Sequence, residues 1–253
     1  MKKFLLLLII PFLSFGQTEI YSSDGVSTIL IPTKIDVLNG YPTINEINSK
    51  AIEPYNKGTE KVIKFGQKKE ERLLYQAIDY FIEAINYDDM FVQAYDNLGK
   101  IYRMLGEYKL SKNAYEISIK IFPNGEVAHQ NLAVCYSELE EWEKAIIEYK
   151  TIIRLRRENP EGYYGLARAY KQLSKLDLAL TNALKALKLY EKNPPNYIGD
   201  SYAQVGIIYY YLGNSNKAKS YIQIAKEKYI TNNLGNVFYS TFPESLLKEL
   251  NIE

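Results

Sequence analysis

The chain has 253 residues, 47% of them hydrophobic and 24% charged, with a net charge of +1 at neutral pH. This is the composition of a folded protein and not of a disordered one. The balanced charge, without any basic stripe, argues against nucleic acid as a partner. A single Cys rules out an internal disulfide, and a single His rules out paired-His metal sites, so neither a metal nor a cofactor is expected.

The chain opens with Lys2-Lys3, an apolar stretch over 4–15, and Gly16 at a plausible cleavage point. That run is about half of the roughly 20 apolar residues needed to cross a bilayer, so residues 1–16 read as a cleaved secretory signal. No Cys stands near the cut to carry a lipid, and no later segment is apolar enough to span a membrane. The mature protein is therefore expected to be exported, periplasmic or secreted. Residues 17–50 are mixed, with a turn signal at Asn39-Gly40-Tyr41-Pro42, and read as an extended or partly ordered segment with a short strand or two. From about residue 51 the helical period takes over.

Across this helical region a single pattern returns at a step of about 34 residues. Tyr95, Leu98, Gly99 and Tyr102 come back as His129, Leu132, Ala133 and Tyr136, then as Tyr163, Leu166, Ala167 and Tyr170. Each set is followed by a second pattern: Ser111, Tyr115 and Ser118 in one copy, Ala145, Tyr149 and Ile152 in the next, Ala179 and Ala186 in the third. A further copy, Tyr202, Val205, Gly206, Tyr209, Ala218 and Ala225, arrives about five residues late, after the proline-containing 192–199. Upstream, Ala77, Phe81 and Ala84 mark another second helix. Its partner around 51–65 needs about seven extra residues near 68–74 to fit.

These residues resemble the tetratricopeptide repeat, a helix–turn–helix unit of about 34 residues. The resemblance implies an all-α fold: a right-handed α-solenoid of about five units with a C-terminal capping helix. The repeats fall at 51–91, 92–125, 126–159, 160–198 and 199–232, and the cap at 233–253, where Pro243 opens an amphipathic pattern. Most of the repeated residues then serve packing. Gly99, Ala133, Ala167 and Gly206 let helices approach, the tyrosines fill the gaps, and His129 takes a large-residue slot. Cys135, inside a repeat helix, reads as a buried inert thiol.

No catalytic motif is present, and the carboxylates at 138–143 read as a solvated turn, so an enzyme is not expected. In proteins with this repeat the first helices line a concave groove that takes an extended peptide or a helix. Carried onto this chain, the slot before the repeat Leu holds Asn56, Asn97 and Asn131, then departs to Gly165 and Gln204. Amides donate and accept at once, which matches the paired groups of a peptide bond. The other groove candidates are Lys100, Arg103, Tyr164, Arg168 and Lys171, set against Asp96, Glu161 and Asp200, with Tyr210 and Tyr211 toward the end. The basic-and-Asn clamp that related repeats use for a terminal carboxylate is not reproduced, since Thr59 and Val134 stand in its place. The resemblance thus implies a non-enzymatic scaffold for a protein or peptide partner, an adaptor in an envelope or secretion-associated assembly. A groove-based enzyme or carbohydrate-binding protein and a self-associating subunit are the alternatives, and the oligomeric state is left open.

Overall fold

The structure, a computed structural model, describes residues 19–21, 27–29 and 47–252. The leader expected at 1–16 lies outside the described residues, as does most of the segment that follows it. Ten helices form five antiparallel pairs: α1 (Ser49–Lys68) with α2 (Arg72–Tyr87), α3 (Val92–Met104) with α4 (Tyr108–Ile121), α5 (Glu126–Glu138) with α6 (Trp142–Leu155), α7 (Pro160–Gln172) with α8 (Leu176–Tyr190), and α9 (Ile198–Tyr211) with α10 (Ser215–Thr231). Two short helices close the chain, α11 (Gly235–Thr241) and α12 (Glu244–Glu249). Two three-residue strands, β1 (Glu19–Tyr21) and β2 (Ser27–Ile29), pair antiparallel with Ile20 opposite Thr28, and β1 runs beside α4.

The pairs are held apart and together by repeated local chemistry. Four pairs turn through the same device: Gly106, Glu140, Ser174 and Gly213 all take positive φ. In each, the next residue's N–H returns to a carbonyl five residues back, as Glu107 does to Tyr102 at 2.8 Å and Lys175 to Tyr170 at 2.8 Å. This left-handed stop satisfies the orphan carbonyls of the first helix and reverses the chain within three residues. The second helix then lies on the first through small residues. Ala145, Ala179 and Ala218 are fully buried, and the equivalent Ser111 donates its hydroxyl to the Gly99 carbonyl at 2.7 Å. A Cβ added at Gly99 would stand 2.6 Å from the Tyr115 ring, so the close approach there needs glycine.

Both irregularities have a physical form. The extra residues expected near 68–74 lengthen α1, which has 20 residues against 13 in α3. The added length puts Val62 and Phe65 against the core. The late arrival of the fifth pair is a loop over 191–197, whose Tyr197 hydroxyl donates to Glu161 Oε1 at 3.2 Å. The cap differs from the single helix expected: Phe242 and Pro243 take extended backbone and split it in two. The break lets Phe238, Phe242, Leu247 and Leu250 all turn onto the last repeat, where each is buried.

Tyrosine abundance has a concrete use. Tyr190 on α8 donates to Glu161 on α7 at 2.6 Å, and Tyr229 on α10 makes the matching bond to Asp200 on α9. Ser118 on α4 likewise donates to Asp96 on α3. A phenol buries its ring between helices while its hydroxyl reaches a carboxylate at the rim, which a Phe would not do.

His129 occupies its large-residue slot and is buried, but it is also an ionic contact. One ring nitrogen lies 2.5 Å from Glu148 Oε2 on α6 and the other 2.9 Å from the Pro123 carbonyl. Burial alone would lower its pKa. The Glu148 hydrogen bond, the Pro123 carbonyl and the Glu148 charge outweigh burial and the opposing Arg154, so the folded pKa is raised. A raised folded pKa means stability that is full below the unfolded value of about 6.5 and is lost as pH rises through the folded value. With no other His in the chain, the melting temperature is expected to be higher at pH 5.5 than at pH 8.5, and His129→Gln to remove most of that difference.

Candidate functional site

The concave side follows from which helices approach one another. First helices of successive pairs touch, α3 with α5, α5 with α7 and α7 with α9, while among the described residues the second helices show no comparable approach. Rods that converge on one side and splay on the other curve toward the converging side. The first helices therefore form the inner face, and residues on their free side line the groove.

Three of the candidate residues form a graded row. Asn56 on α1 is exposed. Asn97 on α3 is half-buried, and its amide donates to the Tyr55 hydroxyl of α1 at 3.1 Å. Asn131 on α5 donates back to the Val127 carbonyl of its own helix at 2.9 Å. Among the described residues neither amide oxygen accepts a hydrogen bond, so both offer an acceptor to the groove. The row stops at Gly165 for a steric reason: a Cβ there would lie 2.1 Å from the Tyr149 ring, which leaves no room for a side chain. On α9, Gln204 is buried, its Nε2 donates to the Tyr164 carbonyl at 3.1 Å, and its Oε1 has no partner among the described residues.

The charged candidates sort differently from what their mixture in the sequence implies. Asp96, Glu161 and Asp200 face their own second helices, where Ser118, Tyr190 and Tyr229 engage them, and Glu161 also accepts from Tyr197 in the loop after α8. They do not balance the groove cations. Lys100 is exposed on α3. The Nε of Arg103 is buried and has no hydrogen-bond partner among the described residues. Arg168 on α7 reaches across to Glu138 on α5 at 3.0 Å, a pairing that a purely solvated turn at 138–143 does not anticipate. Its signal in the sequence is a spacing of about one repeat less one helical turn. Lys171, one turn beyond Arg168, is half-buried and makes no hydrogen bond or ion pair among the described residues. Burial, with the Arg168 charge added, pushes its amine below the ordinary lysine value.

Toward the C-terminal end the aromatic candidates are partly spoken for. Tyr164 packs edge-to-face on Tyr190 with centroids 6.4 Å apart. Burial, together with the Asp200 charge, pushes its hydroxyl up to about 12. Tyr210 donates to Glu249 on α12 at 2.8 Å, so this side chain is tied to the cap. Tyr211 is exposed. Cys135 is buried against the Ser111 hydroxyl at 3.0 Å, and burial raises its pKa. Among the described residues no three metal-ligating side chains converge, and no helix is long and apolar enough to cross a membrane.

A sequence model of the tetratricopeptide repeat matches residues 92–124 and 160–193, which are the α3–α4 and α7–α8 pairs with their flanks. The chain contains tetratricopeptide repeats. Solved structures of the same repeat superpose on it along most of its length. MamA 41-end from Desulfovibrio magneticus RS-1 does so with a TM-score of 0.65 at 15% identity, covering 73% of this chain and 98% of that one. A second MamA structure gives 0.63 at 19% identity, with 74% and 96% covered. YrrB, described as a TPR protein with an unusual peptide-binding site, gives 0.59 at 20% identity, with 76% and 93% covered. These likenesses establish the fold. No curated protein sequence matches the chain significantly.

Proposed function

We propose that this tetratricopeptide-repeat protein is a non-enzymatic scaffold that holds a peptide segment or a partner helix along the inner face of its first helices. The observation that carries the reading is the set of polar groups on that face with no partner among the described residues: the amide oxygens of Asn97 and Asn131 and the Lys171 amine. A buried or half-buried polar group without a partner costs free energy, and a ligand that supplies the partner recovers it. The groove walls are helices already formed and packed without a ligand, so little ordering cost falls on the protein. YrrB's described peptide-binding site agrees with this reading. The basic start and apolar run of residues 1–16 support an exported location, and with it a role as adaptor in an envelope or secretion-associated assembly.

Self-association is the second reading. The solenoid's C-terminal end exposes Val237, Tyr239 and Tyr211 beside a cavity of about 690 Å³ lined by Tyr239, Phe242, Leu247 and Ile252. A second copy stacking there would continue the array. Affinity capture from a native envelope fraction tests the first reading, run beside an Asn97→Ala, Asn131→Ala double variant. Partners held by the wild type are expected to be lost or weakened about thirtyfold by the variant, as for two lost hydrogen bonds of about 1 kcal/mol each. Unchanged capture would remove the Asn row from the mechanism, and a concentration-dependent mass with no captured partner would favour self-association.

A further inference from the structure

We propose that the cleft in the C-terminal cap pairs two copies of this chain end to end about a two-fold axis, giving a closed dimer with two open grooves. The inference rests on the self-association reading and fixes its geometry. Groove binding stands apart from it, because none of the groove candidates lines the cleft. Of the thirteen large apolar side chains exposed among the described residues, five lie between 211 and 239: Tyr211, Leu212, Ile230, Val237 and Tyr239. Scattered apolar residues need no explanation, but a concentration of them at one end of the molecule marks an interaction surface.

The break at Phe242 and Pro243 is where α11 and α12 meet, and residues of both helices line the cleft. Phe242, Leu247 and Ile252 are its buried apolar floor. Tyr239 stands at the rim, 57% exposed, with its ring edge-to-face on Phe238. At about 690 Å³ the cleft has room for an aromatic side chain from outside. In a two-fold pair Tyr239 of each copy enters the cleft of the other, so one contact is made twice. The rim charges are self-complementary as well. Glu244 and Lys248 lie one turn apart on α12, pair at 2.7 Å and are both largely exposed. With the two α12 helices antiparallel across the axis, Glu244 of one copy faces Lys248 of the other, and neither sign is left in excess.

Continuing the array head to tail would instead set the cap against the N-terminal end, and that end is polar. No pair precedes α1, so its side opposite the buried Ala51, Pro54 and Gly58 faces outward. That side carries Glu53, Lys57, Glu60 and Lys64, tied into two ion pairs one turn long. An apolar cap pressed onto them would desolvate four charges and gain almost no apolar contact in return. Among the described residues Ile63 is the one large apolar side chain exposed on α1. The cap therefore matches a second cap, and a contact of that symmetry closes at two copies. Both inner faces stay open in such a dimer, so a partner with two binding segments gains avidity from it.

Sedimentation equilibrium of the full chain tests the pairing over roughly 1 to 100 µM, because an end face this small points to a micromolar Kd. Monomer and dimer in exchange, with no larger species, are the expected result. Glu244→Lys and Lys248→Glu should each weaken the dimer roughly tenfold, by setting like charges face to face. Mixed one to one, the two variants should recover a heterodimer at least as strong as the wild-type dimer. Tyr239→Glu should abolish pairing. All three are surface changes and should melt within about 2 °C of wild type, so a lost dimer is not a lost fold. A mass that stays monomeric throughout would overturn self-association and this inference together. Species that keep growing with concentration, or charge variants whose mixing restores nothing, would overturn the two-fold form alone. A monomer that retains a small apolar molecule in native mass spectrometry would give the cleft to a ligand and overturn the pairing. The Asn97→Ala, Asn131→Ala variant should dimerise like the wild type, which keeps the result independent of the groove reading.

Discussion

Gly165→Asn is expected to lower the stability by about 3 kcal/mol, a fall of roughly 6–12 °C in melting temperature for a chain of this size. On the pattern of the polar row the change looks helpful, because it would extend Asn56, Asn97 and Asn131 by one step. The packing says otherwise. Phe81, Tyr115 and Ile222 each lie over the glycine of their own pair, at Gly58, Gly99 and Gly206. The α5–α6 pair has Ala133 in that slot, and Tyr149 instead lies against Gly165 of the next pair, with added-Cβ distances of 2.1 to 2.5 Å to its ring. Its hydroxyl stays 3.3 Å from Ser137, so the ring is held at both ends and has little freedom to withdraw. An Asn at 165 must displace it. Tyr149→Ala alone costs a cavity of its own, but it vacates the space the Asn needs, so the double variant is expected to be much less destabilised than the sum of the two singles. Thermal unfolding of all three variants decides the matter, and a Gly165→Asn protein that melts like wild type would mean that Tyr149 is not seated there.

The same residue marks the line between what the chain reveals by itself and what it hides. The repeat is legible because packing fixes residue types at a set spacing: Leu98, Leu132 and Leu166 have to face the core, and a small residue has to follow each of them. The residues beside them obey no such rule. In the sequence Gly165 is a gap in a binding row, and only the position of a ring from the previous pair gives it a reason. Asp96, Glu161 and Asp200 resemble counter-charges for groove lysines, because sequence spacing places them on first helices without saying which side of the helix holds a waiting hydroxyl. Ser118, Tyr190 and Tyr229 supply those hydroxyls from the second helices, and the groove is left more cationic than its composition. The cap was legible in its apolar pattern but not in its break, since Pro243 is as compatible with starting one helix as with ending another.

Ala145→Leu is expected to cost about 3 kcal/mol, through overpacking at the crossing of α5 and α6. Ala145 is fully buried, and its equivalent Ser111 shows what the slot contacts, for its hydroxyl lies 2.7 Å from the Gly99 backbone carbonyl. A side chain in this position points at the backbone of the first helix, which cannot repack as a side chain can. A Leu there has to drive α6 away from α5, exposing Ile152 and Leu132, which are buried between the pairs. Ala145→Ser should be tolerated to within about 1 kcal/mol, because Ser already occupies the matching position one pair earlier and finds a carbonyl. In a solenoid each pair leans only on its neighbours, so the damage should stay local. Hydrogen exchange in Ala145→Leu is expected to accelerate in α5, α6 and the adjoining α7, with α1 and α2 near their wild-type rates. An exchange increase spread evenly over all five pairs, or an unchanged melting curve, would show that the register which places Ala145 at this crossing is wrong.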